Sequence, residues 1–367
     1  MSRTASIYLR PAGFVDAPFA YDRQVARLAG GSLWFSACEA IVSMGASRTS
    51  TVLVPVVELD AFIGRLPETL ATQARGIWSR LIAPRSPMTL GDRTLRLDQP
   101  LLLGILNMTP DSFSGDGRSA DVDAALDQAF AMGKAGASII DVGGESTRPG
   151  AATVWEGDEI ARIEPIVRRL AAGGALVSVD TRKAAVMAAA LDAGAHIVND
   201  VSALTYDPLS LEVLAARDCP VVLMHHQGDP ATMQADPRYD DVLLDVYDWL
   251  EARIESATAA GIARARIILD PGIGFGKTLR HNLQLLNGLA LFHGLGCPLL
   301  LGASRKRIIG ALSNEAPVDQ RLGGSVALAL HGAQMGAQLL RVHDVAETMQ
   351  AIRVWRGLRD EALTPIF

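Results

Sequence analysis

Eight short apolar runs recur along residues 101–344, and each stops on a polar residue. They are LLLGILN at Asn107, SIIDVGG at Asp141 with Glu145 to Arg148 beyond it, LVSVD at Asp180, HIVND at Asn199 and Asp200, VVLMHH at His225, IILDPG at Asp270, PLLLGASRK at Ser304 to Lys306, and LLRVHD at Arg341 and His343. Half-exposed strands alternate apolar with polar; runs this evenly apolar are strands buried on both faces. A stretch of helical period follows each one, so the repeating unit is strand then helix. Eight units in about 270 residues predict an α/β chain folded as a (β/α)8 TIM barrel. In that fold the loops after the strands' C-terminal ends build the active site, so each closing polar residue is a candidate ligand contact. Asp and Asn also cap helices, a plainer role that competes at any one position and does not explain eight in series.

A barrel does not use all 367 residues. Residues 1–88 are expected to form a small N-terminal α+β extension of unknown role, and residues 89–367 the barrel. The extension holds an apolar run, TVLVPVVEL (51–59), and a helical pattern, PETLATQARGIWSRLI (67–82). Residues 88–100, MTLGDRTLRLDQP, carry a Gly-Asp turn between two β-like pieces, a hairpin expected to plug the barrel's bottom. Helices are expected over 121–135, 154–172, 182–193, 208–216, 239–260, 279–291, 319–335 and 345–357. The loops at 109–119 and 144–153 are long and rich in Gly, Ser and Pro, as mobile lids are.

Hydrophobic residues make up 49% of the chain, ample for a large core, and the formal charge is −6. That balance argues against nucleic acid or an anionic membrane as partner, so an anionic ligand must be held by local Arg and Lys. Cys38, Cys219 and Cys297 form no CxxC pair, which suggests neither a disulfide framework nor structural zinc and points to a reducing cytoplasm. The N-terminal segment lacks the unbroken apolar stretch of a signal peptide, and nothing approaches the ~18 apolar residues of a membrane span.

Asp180, Asn199 and Asp270 end strands three, four and six and should converge at the barrel mouth. Buried carboxylates need partners, and a heterocycle with an amidine- or guanidine-like N–H edge, such as a pterin or guanine ring, would satisfy two of them; an internal Asp–Arg or Asp–Lys pair is the competing explanation. Arg148, Lys306, Arg341 and His343 form a cationic group. Arg341 and His343 lie two apart on a strand, hence on one face, after strands seven and eight where this fold usually binds phosphate. DPGIGFGKT (270–278) resembles a phosphate loop, yet Pro271 stands where GxxxxGK[ST] needs Gly, so an ATPase is not implied. Its glycines suit a loop passing under a flat ligand, with Phe275 to stack and Lys277 as a helix-start contact. His225 and His226 are adjacent on a strand and point opposite ways, which disfavours a zinc hydrolase. A Mg2+ held by a bound diphosphate and one protein oxygen, such as that of Asn107, fits better.

At these residues the chain resembles the dihydropteroate synthases of the pterin-binding enzyme superfamily, over residues 101 to about 357. The similarity rests on GILNMTPDSFSGDG (104–117), DVGGESTRPGA (141–151), SVDT (178–181), ND (199–200), DPGIGFGK (270–277), GASRK (302–306) and RVHD (341–344). It implies a transferase of folate biosynthesis that condenses 6-hydroxymethyl-7,8-dihydropterin diphosphate with p-aminobenzoate to 7,8-dihydropteroate and pyrophosphate. By the resemblance Asp180, Asn199, Met224, Asp270, Phe275 and Lys306 would hold the pterin. Thr147, Pro149, Phe275, Ser304 and Arg305 would form the p-aminobenzoate pocket, the target of sulfonamides. Asn107, Arg148, Arg341 and His343 would hold the diphosphate, with Asn107 on Mg2+; Asn107, Arg148, Asp180, Lys306, Arg341 and His343 would be the catalytic set. A homodimer through the last helices is expected. Departures are SFSGDG, where an Asp more often follows the serine directly, and His226 where Met is common. Two rivals stand beside this reading: a pterin-dependent methyltransferase of the same superfamily, which would not need Ser304 to Lys306, Arg341 and His343, and a non-catalytic pterin-binding paralogue.

Overall fold

The computed structural model describes residues 5–19, 21, 24–45, 47–108, 118–146, 153–228 and 232–364. The chain opens with an antiparallel sheet of β1 (Ala5–Val15), β2 (Ala26–Arg27), β3 (Trp34–Met44) and β4 (Ser47–Pro55), in which β3 pairs with all three others. Helices α1 (Leu59–Gly64) and α2 (Glu68–Ile82) follow. On α2 the residues Leu70, Ala71, Ala74, Ile77 and Leu81 recur at helical spacing and are buried. They share one continuous core with Phe35 and Ile41 of the sheet and with Leu291, Phe292 and Leu295. The extension is thus packed on the barrel. Buried Arg85 reinforces the junction, donating to the carbonyls of Arg80, Ala83 and His293 at 2.9, 3.1 and 2.9 Å.

A hairpin, β5 (Met88–Leu90) and β6 (Arg93–Leu95), leads into eight parallel strands: β7 (Leu101–Asn107), β8 (Ile139–Gly143), β9 (Val177–Asp180), β10 (Ile197–Asp200), β11 (Val221–Met224), β12 (Ile267–Asp270), β13 (Leu300–Leu301) and β14 (Leu339–Val342). Their order runs β12-β11-β10-β9-β8-β7-β14-β13, and a bridge between Leu269 and Leu299 closes the ring into the expected (β/α)8 barrel. Between and after them lie α3 (Arg118–Ala135), α4 (Glu156–Ala172), α5 (Ala184–Asp192), α6 (Ser210–Ala215), α7 (Val242–Ala259), α8 (Leu279–Asn287), α9 (Arg307–Leu312), α10 (Leu322–Gln334) and α11 (Val345–Ala362). The hairpin does plug the bottom: Met88, Leu90 and Leu97 form one cluster with Leu103, Ile139, Leu176, Ile197, Val222, Ile268, Leu300 and Leu339.

The structure departs from the sequence pattern at three elements. The helix expected over 279–291 ends at Asn287 because Gly288 follows, and Leu289–Leu295 continues as a tighter 3-10 turn. Of the apolar run before Lys306, only Leu300–Leu301 pairs as strand, because β13 adjoins β14 on one side and touches β12 only through that single bridge. Helix α9 lies in a stretch where the pattern predicted none.

Removing residues 1–86 would uncover Leu291, Phe292 and Leu295, whose burial contributes about 1.5–3 kcal/mol each. The truncated barrel is expected to unfold at lower temperature and to aggregate; thermal unfolding and solubility assays equal to those of the full chain would contradict this.

Candidate active site

The mouth follows from the period of two along each strand. Ile139, Ile197, Val222, Ile268, Leu300 and Leu339 point into the barrel floor, so the residues two further on, Asp141, Asn199, Met224, Asp270, Gly302 and Arg341, also point inward, one layer higher. Asn107, Gly143, Asp180 and Asn199 stand in lateral register on four neighbouring strands, so Asn199 joins that layer to the strand ends beside it. Gly143 leaves the room: a Cβ there would lie 3.7 Å from Asn107 Oδ1 and 3.8 Å from Asp180 Oδ2.

Arg341 ties this layer together. Its Nε donates to Asp141 Oδ2 at 2.6 Å and its Nη2 to Asp180 Oδ2 at 2.6 Å, while Asn199 Nδ2 donates to the same Asp141 oxygen at 3.2 Å. The Asp–Arg pair weighed as a competing role for Asp180 is therefore present, yet it uses only one oxygen of each acid. Asp141 Oδ1 and Asp180 Oδ1 are buried with no hydrogen-bond partner among the described residues. Burial raises the Asp180 carboxyl above its ordinary range against the pull of Arg341, and the Asp141 charge adds to the rise. A second N–H donor brought to Asp180 would stabilise the carboxylate form.

Asp270 sits 4% exposed at the end of β12 and accepts from the Gly272 amide at 2.7 Å; burial raises its carboxyl. Lys306 donates to the Ile273 carbonyl and lies over the Phe275 ring at 4.7 Å. Burial lowers its ammonium to about 8. Asp270, Phe275 and Lys306 are thus brought together with Asp180, Asn199 and Met224 at one rim. Ser304 and His343 form a second group: Ser304 Oγ is 3.0 Å from His343 Nδ1 and accepts from the His343 amide at 3.2 Å. Arg305 donates to Asp344, with Nε 3.0 Å from its carboxylate. Thr147, Arg148 and Pro149 lie outside the described residues.

Three residues were given no site role by sequence pattern. Asp141 has in sequence only the signature of a run's end, and its position two beyond Ile139 is the signal that it turns inward. Asn282 accepts from the Gly274 amide at 2.7 Å and donates to the Thr278 carbonyl at 2.8 Å, bracing the glycine loop from α8; only folding brings it there. Lys183 donates to Glu145 at 3.0 Å, Glu159 at 2.6 Å and the Val154 carbonyl at 2.7 Å, anchoring what flanks the second rim loop. Two readings are corrected. Lys277, expected as a helix-start contact, is buried and donates inward to strand five. Asp200, a candidate ligand contact by its place at a run's end, is instead spent on the turn that follows it: it accepts from Ser202 N, Ser202 Oγ and Leu204 N at 2.7, 2.6 and 2.8 Å.

No group of three or more His, Cys, Asp or Glu that could hold a metal occurs among the described residues. Asn107 supplies one hard amide oxygen beside Asp180, which suits Mg2+ only where substrate oxygens and water complete the shell.

Comparison with known proteins agrees with this geometry. Residues 103–343 match the family described as pterin binding enzyme. The dihydropteroate synthase of Escherichia coli strain K12 is 48% identical over 262 residues, 71% of this chain and 92% of its own length. A Yersinia pestis dihydropteroate synthase solved with a sulfonamide drug superposes with a TM-score of 0.71 at 48% identity, covering 75% of this chain and 100% of that one. A Xanthomonas albilineans dihydropteroate synthase in complex with 7,8-dihydropteroate gives 0.68 at 43% identity, covering 75% and 99%. The likeness spans all eight barrel strands and the polar layer they raise, and on it this chain belongs to the dihydropteroate synthase family of pterin-binding enzymes.

Proposed function

We propose that the chain condenses 6-hydroxymethyl-7,8-dihydropterin diphosphate with p-aminobenzoate, giving 7,8-dihydropteroate and pyrophosphate, as a transferase of folate biosynthesis. The observation that carries this reading is the buried Oδ1 of Asp180, without a hydrogen-bond partner among the described residues, beside Asn199, with Asp270 and Lys306 across the mouth. A pterin edge supplies the N–H donors that Asp180 and Asp270 need, and its carbonyl accepts from Lys306. Met224 and Phe275 bound the ring. The relative solved with 7,8-dihydropteroate supports the same ligand here.

In the reaction the bond between the pterin methylene and the diphosphate oxygen breaks, and the aromatic amine nitrogen forms the new bond and loses a proton. Negative charge develops on the leaving group, where Arg148, Arg341 and His343 act. Arg341 has Nε and Nη2 committed to carboxylates, so Nη1 is its donor toward the diphosphate. Asn107 would hold Mg2+, which when bound neutralises diphosphate charge. The amine is neutral at pH 7, so positioning rather than a strong base activates it. Thr147, Pro149, Phe275, Ser304 and Arg305 form the p-aminobenzoate pocket, and sulfonamides enter it as competitors. The sulfonamide complex of the Yersinia pestis relative supports this.

Four further assignments belong to the same reading. Residues 1–88 form a unit added to a barrel of residues 89–367, in keeping with a family match that begins at residue 103. The chain pairs as a homodimer through its last helices, α10 and its neighbours, where Leu322 is 40% exposed. It works in the cytoplasm, a setting that three free, buried cysteines suit. No described helix is long and apolar enough to cross a membrane.

Three outcomes are expected. Purified protein with dihydropterin diphosphate and Mg2+ should release pyrophosphate only when p-aminobenzoate is added. Lys306→Ala should lose about 1.5–3 kcal/mol of pterin binding, tenfold or more in Kd. Pterin binding without turnover would favour the non-catalytic paralogue, and methyl transfer the methyltransferase. Second, pterin affinity should fall on both sides of neutrality. Lys306, lowered to about 8, loses its proton as pH rises past that value and stops donating, while Asp180, whose carboxyl is raised, takes up a proton as pH falls and stops accepting. A flat profile of Kd against pH would refute both roles. Third, a sulfonamide should inhibit competitively with p-aminobenzoate; inhibition that excess p-aminobenzoate fails to relieve would remove the pocket assignment.

A further inference from the structure

Lys277 lies outside the substrate contacts assigned above, and it is only 3% exposed. Its Nζ stands 2.8 Å from His225 Nδ1, 3.0 Å from the Phe275 carbonyl and 3.4 Å from the His225 carbonyl. Three acceptors surround one buried nitrogen, so although burial lowers the Lys277 ammonium well below its ordinary range, each N–H it carries has a partner and the burial is a built arrangement. The imidazole must carry its own proton on Nε2 to accept at Nδ1, and Trp249 packs against its ring at 4.8 Å, fixing its plane.

The two elements joined this way are the end of strand five and the glycine loop after strand six, and their backbones touch. A Cβ on Gly272 would fall 1.8 Å from the His225 carbonyl oxygen, and one on Gly276 would fall 2.3 Å from that of Gln227. Both glycines have left-handed φ, 69° and 62°, so no side chain is tolerated where the loop rests. The same loop supplies the Ile273 carbonyl that receives Lys306 and the Phe275 ring beneath it.

We propose that Lys277 is a positioning residue for the pterin subsite: by clamping the Phe275 carbonyl to His225, it sets the height of the glycine loop and through it the placement of Lys306 and Phe275. This rests on the pterin reading of the mouth. Of the p-aminobenzoate residues only Phe275 rides on this loop, whereas Ser304 and Arg305 stand on other elements, so that subsite depends on the clamp less than the pterin subsite, which takes both Lys306 and Phe275 from it.

The test compares full-length wild type, Lys277→Met, His225→Leu and His225→Asn. Asn keeps an acceptor near the position of Nδ1, and Leu does not. The readouts are direct binding of a pterin by calorimetry, KM for each substrate, and thermal unfolding. The expected result is a pterin Kd and KM raised about tenfold or more in Lys277→Met and His225→Leu, since an ångström of misplacement can cost on the order of a hundredfold. The p-aminobenzoate KM should rise several-fold less than the pterin KM, because it shares only Phe275 with the loop, and His225→Asn should recover most of the loss. Wild-type binding matched by Lys277→Met and His225→Leu would overturn the clamp and leave the subsite standing. Equal losses for both substrates in all three variants, with no recovery by His225→Asn, would overturn it as mere destabilisation. A wild type that binds no pterin would overturn the subsite and the clamp together. Should Lys277→Met fail to fold, the His225 pair decides between these outcomes alone.

Discussion

Arg341, held between Asp141 and Asp180, is the interaction on which the mouth depends. Two carboxylates at adjacent strand ends, one fully buried and the other nearly so, would each cost several kcal/mol to ionise unpaired. One guanidinium on β14 meets both through separate nitrogens, at 2.6 Å each. It leaves one oxygen on each acid without a donor among the described residues. The barrel thereby keeps a polar layer at its mouth that is balanced enough to fold and incomplete enough to bind. A guanidinium alone meets this need; a lysine at the same place is a point charge and cannot present two fixed donors to two acids.

From that layer upward, binding and chemistry are divided between strand ends. Asp180, Asn199, Asp270 and Lys306 come from strands three, four, six and seven, while Ser304 and His343 meet 3.0 Å apart where strands seven and eight end. Because the barrel fixes the strands in register, these groups hold their spacing without relying on the long loops. The glycine loop after strand six is the exception: Lys277, Asn282 and Tyr239, whose hydroxyl donates to the Gly276 carbonyl at 2.8 Å, fasten it from three directions. Loops carrying a binding residue need such support, since their own backbone is satisfied by nothing else.

Much of this was legible in the chain. The run LLLGILN is β7 from first residue to last, and the ends of the runs at Asp180, Asp200 and Asp270 are the last residues of their strands. Burial on both faces leaves an unmistakable apolar run, and the period of two fixes which residue turns inward. Pairing across the barrel was not legible. Nothing near Asp141 in the sequence announces Arg341, 200 residues away, and Asp200 carries the same signature as Asp180 although its oxygens are spent on its own turn. Lys277 misled because sequence places it at a helix start, whereas the bend imposed by three left-handed glycines swings it inward. The extension hid its two long strands, β1 and β3, because their polar and apolar residues mix where the sheet meets both α2 and the barrel.

The central claim is that buried carboxylates at this mouth wait for a ligand's N–H edge. It is tested most directly by counting protons: a pterin titrated into the ligand-free protein near neutral pH, by calorimetry in two buffers of different ionisation enthalpy. Since burial raises the Asp180 carboxyl in the free protein and N–H donors favour its ionised form, binding should release protons, and Asp180→Asn should abolish the release and weaken binding. A heat independent of buffer, together with unchanged affinity in Asp180→Asn, would contradict the account.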